Sequence, residues 1–225
     1  MDLTVDVGGV PRGAYGRIVV RRRAILAPGV AFRRLEVHGF LRCGDLRGGD
    51  VLIRAGSIDC AGIMRVEGIG GHGVLHVDGD VLCSRLDLTG AARVSGRVEC
   101  SGDVTVTGMM EALGPVHGRQ VRVDGAVRAQ RLEGLDVVEV RPLKGILLSR
   151  PGMDGYREGS HASEVAGTTV RLVSMRCQSV RGREVTLAGG SHVHTARFTD
   201  SLTRDSRSSV LVVDGDRRRV RRTGS

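Results

Sequence analysis

Aromatic residues are nearly missing from this sequence: there is no tryptophan, and Tyr15, Phe32, Phe40, Tyr156 and Phe198 are the full set, an aromatic fraction of 2%. A core packed around aromatic side chains is therefore excluded, as is a platform for stacking nucleic-acid bases. Lysine is as scarce, Lys144 being the single one among 34 basic residues. The five cysteines are an odd number and form no CxxC pair, so a disulfide framework is not expected, and a reducing cytoplasm fits best. Met1 is not followed by a basic stretch and an apolar run, and no apolar segment approaches the ~20 residues needed to cross a bilayer, so secretion and membrane spanning are not expected. A GxxxxGK[ST] phosphate loop is absent, as is any Ser, His and Asp arrangement in a recognisable context, which leaves nucleotide hydrolysis without support.

Glycine and arginine are what the sequence has in excess. Glycine occurs 34 times in 225 residues, and the net charge is +9. That charge is concentrated in Arg21, Arg22 and Arg23 and in Arg217, Arg218, Arg219, Arg221 and Arg222, while the body is nearly balanced. Such runs open the chain to weak contact with anionic membrane or nucleic acid without requiring either.

The glycines are periodic. Gly90, Gly96, Gly102, Gly108 and Gly114 recur at every sixth position, and the hexads LTGAAR, VSGRVE, CSGDVT, VTGMME and ALGPVH carry a period of two within them. From Leu88 to Gly118 every even position is apolar or glycine, whereas the odd ones include Arg93, Arg97, Glu99, Asp103 and Glu111. Residues of one parity share a face of an extended chain, so these are strands with one dry face. A helix would scatter the pattern and would carry a glycine penalty of ~1 kcal/mol at every sixth residue.

A longer step overlays the hexad. Gly39, Gly56, Gly73 and Gly90 recur at a constant step of seventeen, as do Gly62, Gly79 and Gly96, and the same step joins Cys43 to Cys60 and Cys83 to Cys100. After a break the step returns, linking Val170 to Leu187, Val185 to Leu202 and Val193 to Val210. Three hexads make one coil, with small residues at corners where a bulky side chain would not fit. The pattern predicts an all-β chain forming a single-stranded parallel β-helix, with about 17–18 residues and three short strands per coil. Eight to ten coils at ~4.8 Å each give a rod of ~40–50 Å. The expected division is an N-terminal segment over 1–12, a first solenoid stretch over 13–140, an inserted loop over 141–165, final coils over 166–213, and an Arg-rich disordered tail over 214–225.

Cysteines stacked on successive coils suggest a metal or redox site, but a thiol also packs as a small buried hydrophobe, so reduced cysteine ladders in the core are expected. The pairs His72 with His76 and His192 with His194 supply two ligands each and no third at coil spacing, so no metal or cofactor is expected. The six-residue rhythm also suits trimeric hexapeptide-repeat acyltransferases and γ-class carbonic anhydrases, which present histidines between subunits. That enzyme alternative stays open, although the glycine here follows the aliphatic residue two positions later rather than directly.

The segments GAYGRIVV from Gly13, VHGFLRC from Val37, VDGDVLC from Val77, VSGRVEC from Val94 and VDGAVRA from Val123 resemble the coil motif of the bactofilins, polymer-forming cytoskeletal proteins of bacteria. SVRGREVTLAGGSHVHTARFTDSL from Ser179 is similar to their final coils, and the likeness extends from about Gly13 to Val213. The resemblance implies a right-handed β-helix that joins end to end, without nucleotide, into nonpolar filaments scaffolding cell-envelope or morphogenetic proteins and cell shape. Many bactofilins carry a membrane-associating N-terminal tail, whereas MDLTVDVGG lacks a bulky apolar anchor. An open solenoid presents strand edges and an apolar cross-section at each end. Ile18 and Val20 near one end, and Val210 and Val212 near the other, are the candidate self-association residues. Arg217, Arg218, Arg219, Arg221 and Arg222 are the candidate contact with an anionic partner in a third alternative, a monomeric β-helical adaptor.

Overall fold

The computed structural model describes residues 1–143 and 159–223. The chain is all-β, 81% strand, and winds as a parallel β-solenoid of about 12 turns. Its strands are β1 Leu3–Val10, β2 Gly13–Leu26, β3 Val30–Val37, β4 Phe40–Cys43, β5 Leu46–Cys60, β6 Met64–Val77, β7 Val81–Cys83, β8 Arg85–Val94, β9 Val98–Cys100, β10 Val104–Arg141, β11 Ser160–Val173, β12 Met175–Ala188, β13 His192–Asp205, β14 Ser209–Asp214 and β15 Val220–Thr223. At the strand spacing of ~4.8 Å, about 12 turns give a rod of roughly 58 Å, longer than the eight to ten coils expected. The added turns come from the two terminal segments and from coils shorter than the regular step.

Register fixes what the period could only suggest. One inward column runs Leu3, Ile18, Leu35, Val51, Ile69, Leu86 and Val104, and continues from Val138 through Val170, Val185 and Leu202 to Val220. Every member between the first and the last is at most 2% exposed. Each such side chain contributes ~1.5–3 kcal/mol by leaving water, and the column supplies one per coil, so an aliphatic core suffices without aromatics. The even positions from Leu88 to Gly118 that carry side chains are all buried, as the parity pattern predicts. Cys43 with Cys60 and Cys83 with Cys100 are register partners, as are Gly56 with Gly73 and Gly73 with Gly90.

The glycine column turns one corner. Gly73, Gly90, Gly108 and Gly125 have φ of 153°, 135°, 133° and 149°, a region costly for any residue with a Cβ. At Gly90 a Cβ would run into the carbonyl of Gly73 on the coil beneath. Because the corners bend on glycine, the hydrogen-bond ladder survives them, and β10 continues unbroken over 38 residues.

Three boundaries differ from those the sequence suggests. Residues 1–12 are not a separate segment: β1 pairs with β2 as the first coil. β11 begins at Ser160, so residues 160–165 belong to the solenoid rather than to the inserted loop, the rest of which lies mostly outside the described residues. The stretch from Asp214 is ordered through Thr223, where β15 lies on β13 with Leu202 opposite Val220. The step across the second stretch is also not uniform. Val170 pairs with Val185 rather than with Leu187, and Leu187 pairs with Leu172, because that coil has a shorter corner.

Candidate functional site: the ends, the cysteine ladders and the histidines

Ile18 and Val20 are 0% exposed, covered by Leu3 and Val5 of β1. The expectation that they form the end is therefore corrected by one coil. Leu3 and Val5, half-buried against the core, close that end instead, and nothing pairs with the outer edge of β1 among the described residues. At the other end Val210 sits half-buried against the core as expected, but Val212 is 45% exposed, and Val213 takes the inward place. The strand rounds a corner between them, which resets the parity. Leu211, 75% exposed, stands beside Val212.

This second end differs from the first in one respect. The inward column Val140, Leu172, Leu187 ends on Arg204 and Arg222. Arg204 donates to the Ser208 carbonyl at 3.1 Å. Arg217–Arg219 form a 3-10 turn whose N-cap, Asp216, accepts the Arg218 N–H at 3.0 Å, and Arg219 donates to the Thr199 carbonyl at 2.6 Å. The tail expected to be disordered is thus folded onto the last coil, and Arg217, Arg218, Arg219, Arg221 and Arg222 lie exposed around its rim.

The cysteines form ladders, but not all are reduced. Cys83 and Cys100 are joined in a disulfide with their Cα atoms 4.7 Å apart, which corrects the expectation of free thiols at that pair. Parallel register places the two residues opposite each other, at a Cα separation a disulfide accepts. Cys43 and Cys60 have the same register and stay free, with Cys60 donating to the Gly44 carbonyl at 2.9 Å. The hydrogen bond to Cys60, with burial, pushes the Cys43 thiol well above its ordinary range. Burial alone pushes Cys177 up to about 12.

Among the described residues one carboxylate is buried. Glu36, on an outward position of β3, is 5% exposed and accepts from Arg17 and Arg34, each at 2.8 Å. The hydrogen bond from Arg17 outweighs desolvation and holds its carboxyl below the usual range. Elsewhere arginines and aspartates meet on neighbouring coils, as in Arg42–Asp59 at 3.3 Å, Arg97–Asp80 at 3.2 Å, Arg119–Asp103 at 3.1 Å and Arg141–Asp124 at 2.8 Å. These exposed rungs of charge account for the near neutrality of the body and add only tenths of a kcal/mol up to about 1 each.

The histidines do not gather. His76 lies 3.5 Å from Asp59 and 3.3 Å from Asp78, while His192 and His194 bond through Nδ1 to Ser209 and Thr195 at 2.8 and 3.0 Å. Among the described residues no group of three or more His, Cys, Asp or Glu is placed to hold a metal ion. No helix among them is long and apolar enough to cross a membrane. No protein-family model, no curated protein and no solved structure matches this chain.

Proposed function

We propose that this chain is a structural, self-polymerising scaffold of the bactofilin type, cytoplasmic and non-enzymatic, whose coils join end to end into filaments without nucleotide. The observation that carries the reading is the state of the two ends. Leu3 and Val5 at one, and Val210, Val213 and Val220 at the other, are apolar, half-buried and topped by strand edges with no partner among the described residues. Such edges template further pairing unless blocked. Coil motifs like those of the family, from Gly13 to Val213, add to it. Cell-envelope or morphogenetic proteins are the partners it would organise.

Negative-stain microscopy of the purified chain without ATP or GTP, over a range of salt, tests the reading. Filaments are expected, and both Val5→Asp and Val213→Asp should shorten or abolish them while circular dichroism stays β-rich. Monodisperse particles at every salt, or filaments indifferent to both substitutions, would overturn it.

One observation favours a second reading, a monomeric β-helical adaptor. Arg204 and Arg222 close an apolar column with charge, and charged residues at an edge are a common means of preventing edge-to-edge association. In that case removal of 217–225 should abolish binding to vesicles containing anionic lipid, and unchanged binding would exclude it.

A further inference from the structure

The buried carboxylate of β3 sits beneath more positive charge than it can neutralise. Arg17 lies on β2, Arg34 and Glu36 on β3 and Arg54 on β5, so three successive coils contribute one guanidinium each. Arg17 and Arg34 are register partners, and Glu36 follows Arg34 by two residues. Leu52, opposite Glu36 on the next coil, precedes Arg54 by two in turn. Burial of Ile18, Leu35, Val37, Val51 and Ile53 leaves these alternate positions outward, on one face. Arg17, Arg34, Glu36 and Arg54 together line an open depression of about 290 Å³.

Each oxygen of Glu36 takes one bond, Oε2 from Arg17 Nη2 and Oε1 from Arg34 Nε, both at 2.8 Å. Arg17 keeps Nε and Nη1 for another acceptor, and Arg34 keeps both of its Nη atoms. Arg54 is exposed and makes no ion pair among the described residues. Three positive charges against one negative leave the depression at +2. Two further acids stand near and do not line it. Asp2 accepts the Arg17 backbone N–H at 2.9 Å, and Asp50, the register partner of Arg34, holds its carboxylate over Gly68 on the following coil, on the side of Arg85. A rung such as Arg119–Asp103 matches one cation to one anion, and this depression does not.

We propose that this depression binds a phosphomonoester as its dianion. The planar guanidinium fork matches phosphate oxygens through paired hydrogen bonds, and three such groups on adjacent coils present donors from three directions. Glu36 is the positioning residue: by holding Arg17 and Arg34 in place it removes side-chain freedom before the ligand arrives, which lowers the cost of binding. Two negative charges balance the site. A phosphodiester, as in a nucleic-acid strand or a bridging lipid headgroup, brings one and leaves a positive charge uncompensated.

Calorimetric titration of the full chain with glycerol 2-phosphate and with dimethyl phosphate tests the proposal, and neither result depends on polymerisation. At a pH of about 7.5 the monoester, whose second pKa is about 6, is mostly the dianion. Saturable binding of glycerol 2-phosphate, about tenfold or more tighter than that of dimethyl phosphate, is expected. Arg54→Gln, on an exposed side chain without an ion pair, should weaken binding about tenfold, the worth of a charge-assisted hydrogen bond, and leave Tm unchanged. Arg119→Gln, on a matched rung of a distant coil, should leave binding unchanged. Absence of saturable monoester binding overturns the proposal, as does binding indifferent to Arg54→Gln or equally weakened by Arg119→Gln. Equal affinity for dimethyl phosphate, lost with the same Arg54→Gln change, overturns it in favour of a site for phosphodiesters.

Discussion

Two glycines on neighbouring coils should respond to the same methyl group in opposite directions. Gly90 has φ of 135°, and an added Cβ there meets the carbonyl of Gly73 in the coil beneath, with only backbone there and no flexible side chain to give way. Holding a non-glycine residue in that region costs ~1–3 kcal/mol, and moving the backbone to relieve the overlap adds to it. A loss of about 3 kcal/mol or more is expected for Gly90→Ala. Gly70 has ordinary backbone geometry, and its Cβ would find only the Asp87 carbonyl, at 3.6 Å, a normal contact. Gly70→Ala should be neutral or stabilise by ~0.4–1 kcal/mol through the entropy of the unfolded chain. Thermal unfolding followed by circular dichroism reads both. For a chain of this size 1 kcal/mol moves Tm by ~2–4 °C, so Gly90→Ala should lower it by roughly 6–12 °C while Gly70→Ala leaves it level or slightly raised. Equal shifts for the two variants would refute the account of the corner, because the side-chain chemistry added is the same.

Removing the Glu36 carboxylate by Glu36→Gln should cost on the order of 1 kcal/mol at pH 7, since Arg17 and Arg34 are half exposed and regain water. Because the folded-state pKa of Glu36 is depressed, its contribution is present above the unfolded carboxylate range and lost as pH falls through the folded value; urea midpoints of wild type and variant should converge at acid pH. Cys43, Cys60 and Cys177 are buried, so a chromogenic disulfide reagent at pH 8 should label the native chain slowly and reveal three thiols in guanidinium before reduction and five after reduction and removal of the reductant. Rapid native labelling would contradict the ladder. Truncation after Asp216 removes β15 and uncovers Leu202, now 0% exposed, and should lower Tm by several degrees; a tail that contributes nothing would leave Tm unchanged.

What is legible in the sequence depends on what each feature is made of. The inward parity from Leu88 to Gly118 and the pairing of Cys43 with Cys60 can be read because those coils keep a constant length and each step carries a distinctive residue. Ile18 and Val20 read as an end because residues 1–12 hold no glycine step; their strand has a parity-two pattern too short to recognise, with a bulge between Val5 and Val7. The Arg-rich tail reads as solvated because of its charge. It folds because Val220 finds Leu202 beneath it and the carbonyl of Thr199 accepts Arg219.

Residue order alone settles the architecture. A period of two within six within seventeen is a statement about which side chains must avoid water, and only a stacked coil satisfies it. Register, and everything set by it, belongs to the folded chain. His161, Arg176 and His192 are register partners although they are unequally spaced along the chain, because corners take up different lengths of chain without disturbing the strands between them. The core repeats because it is packed, and so does the glycine corner stacked on it, whereas other corners vary in length. Surface ladders, the closure of an end by Arg204 and Arg222, and the true terminal residues Leu3 and Val5 become visible only once the coils are stacked.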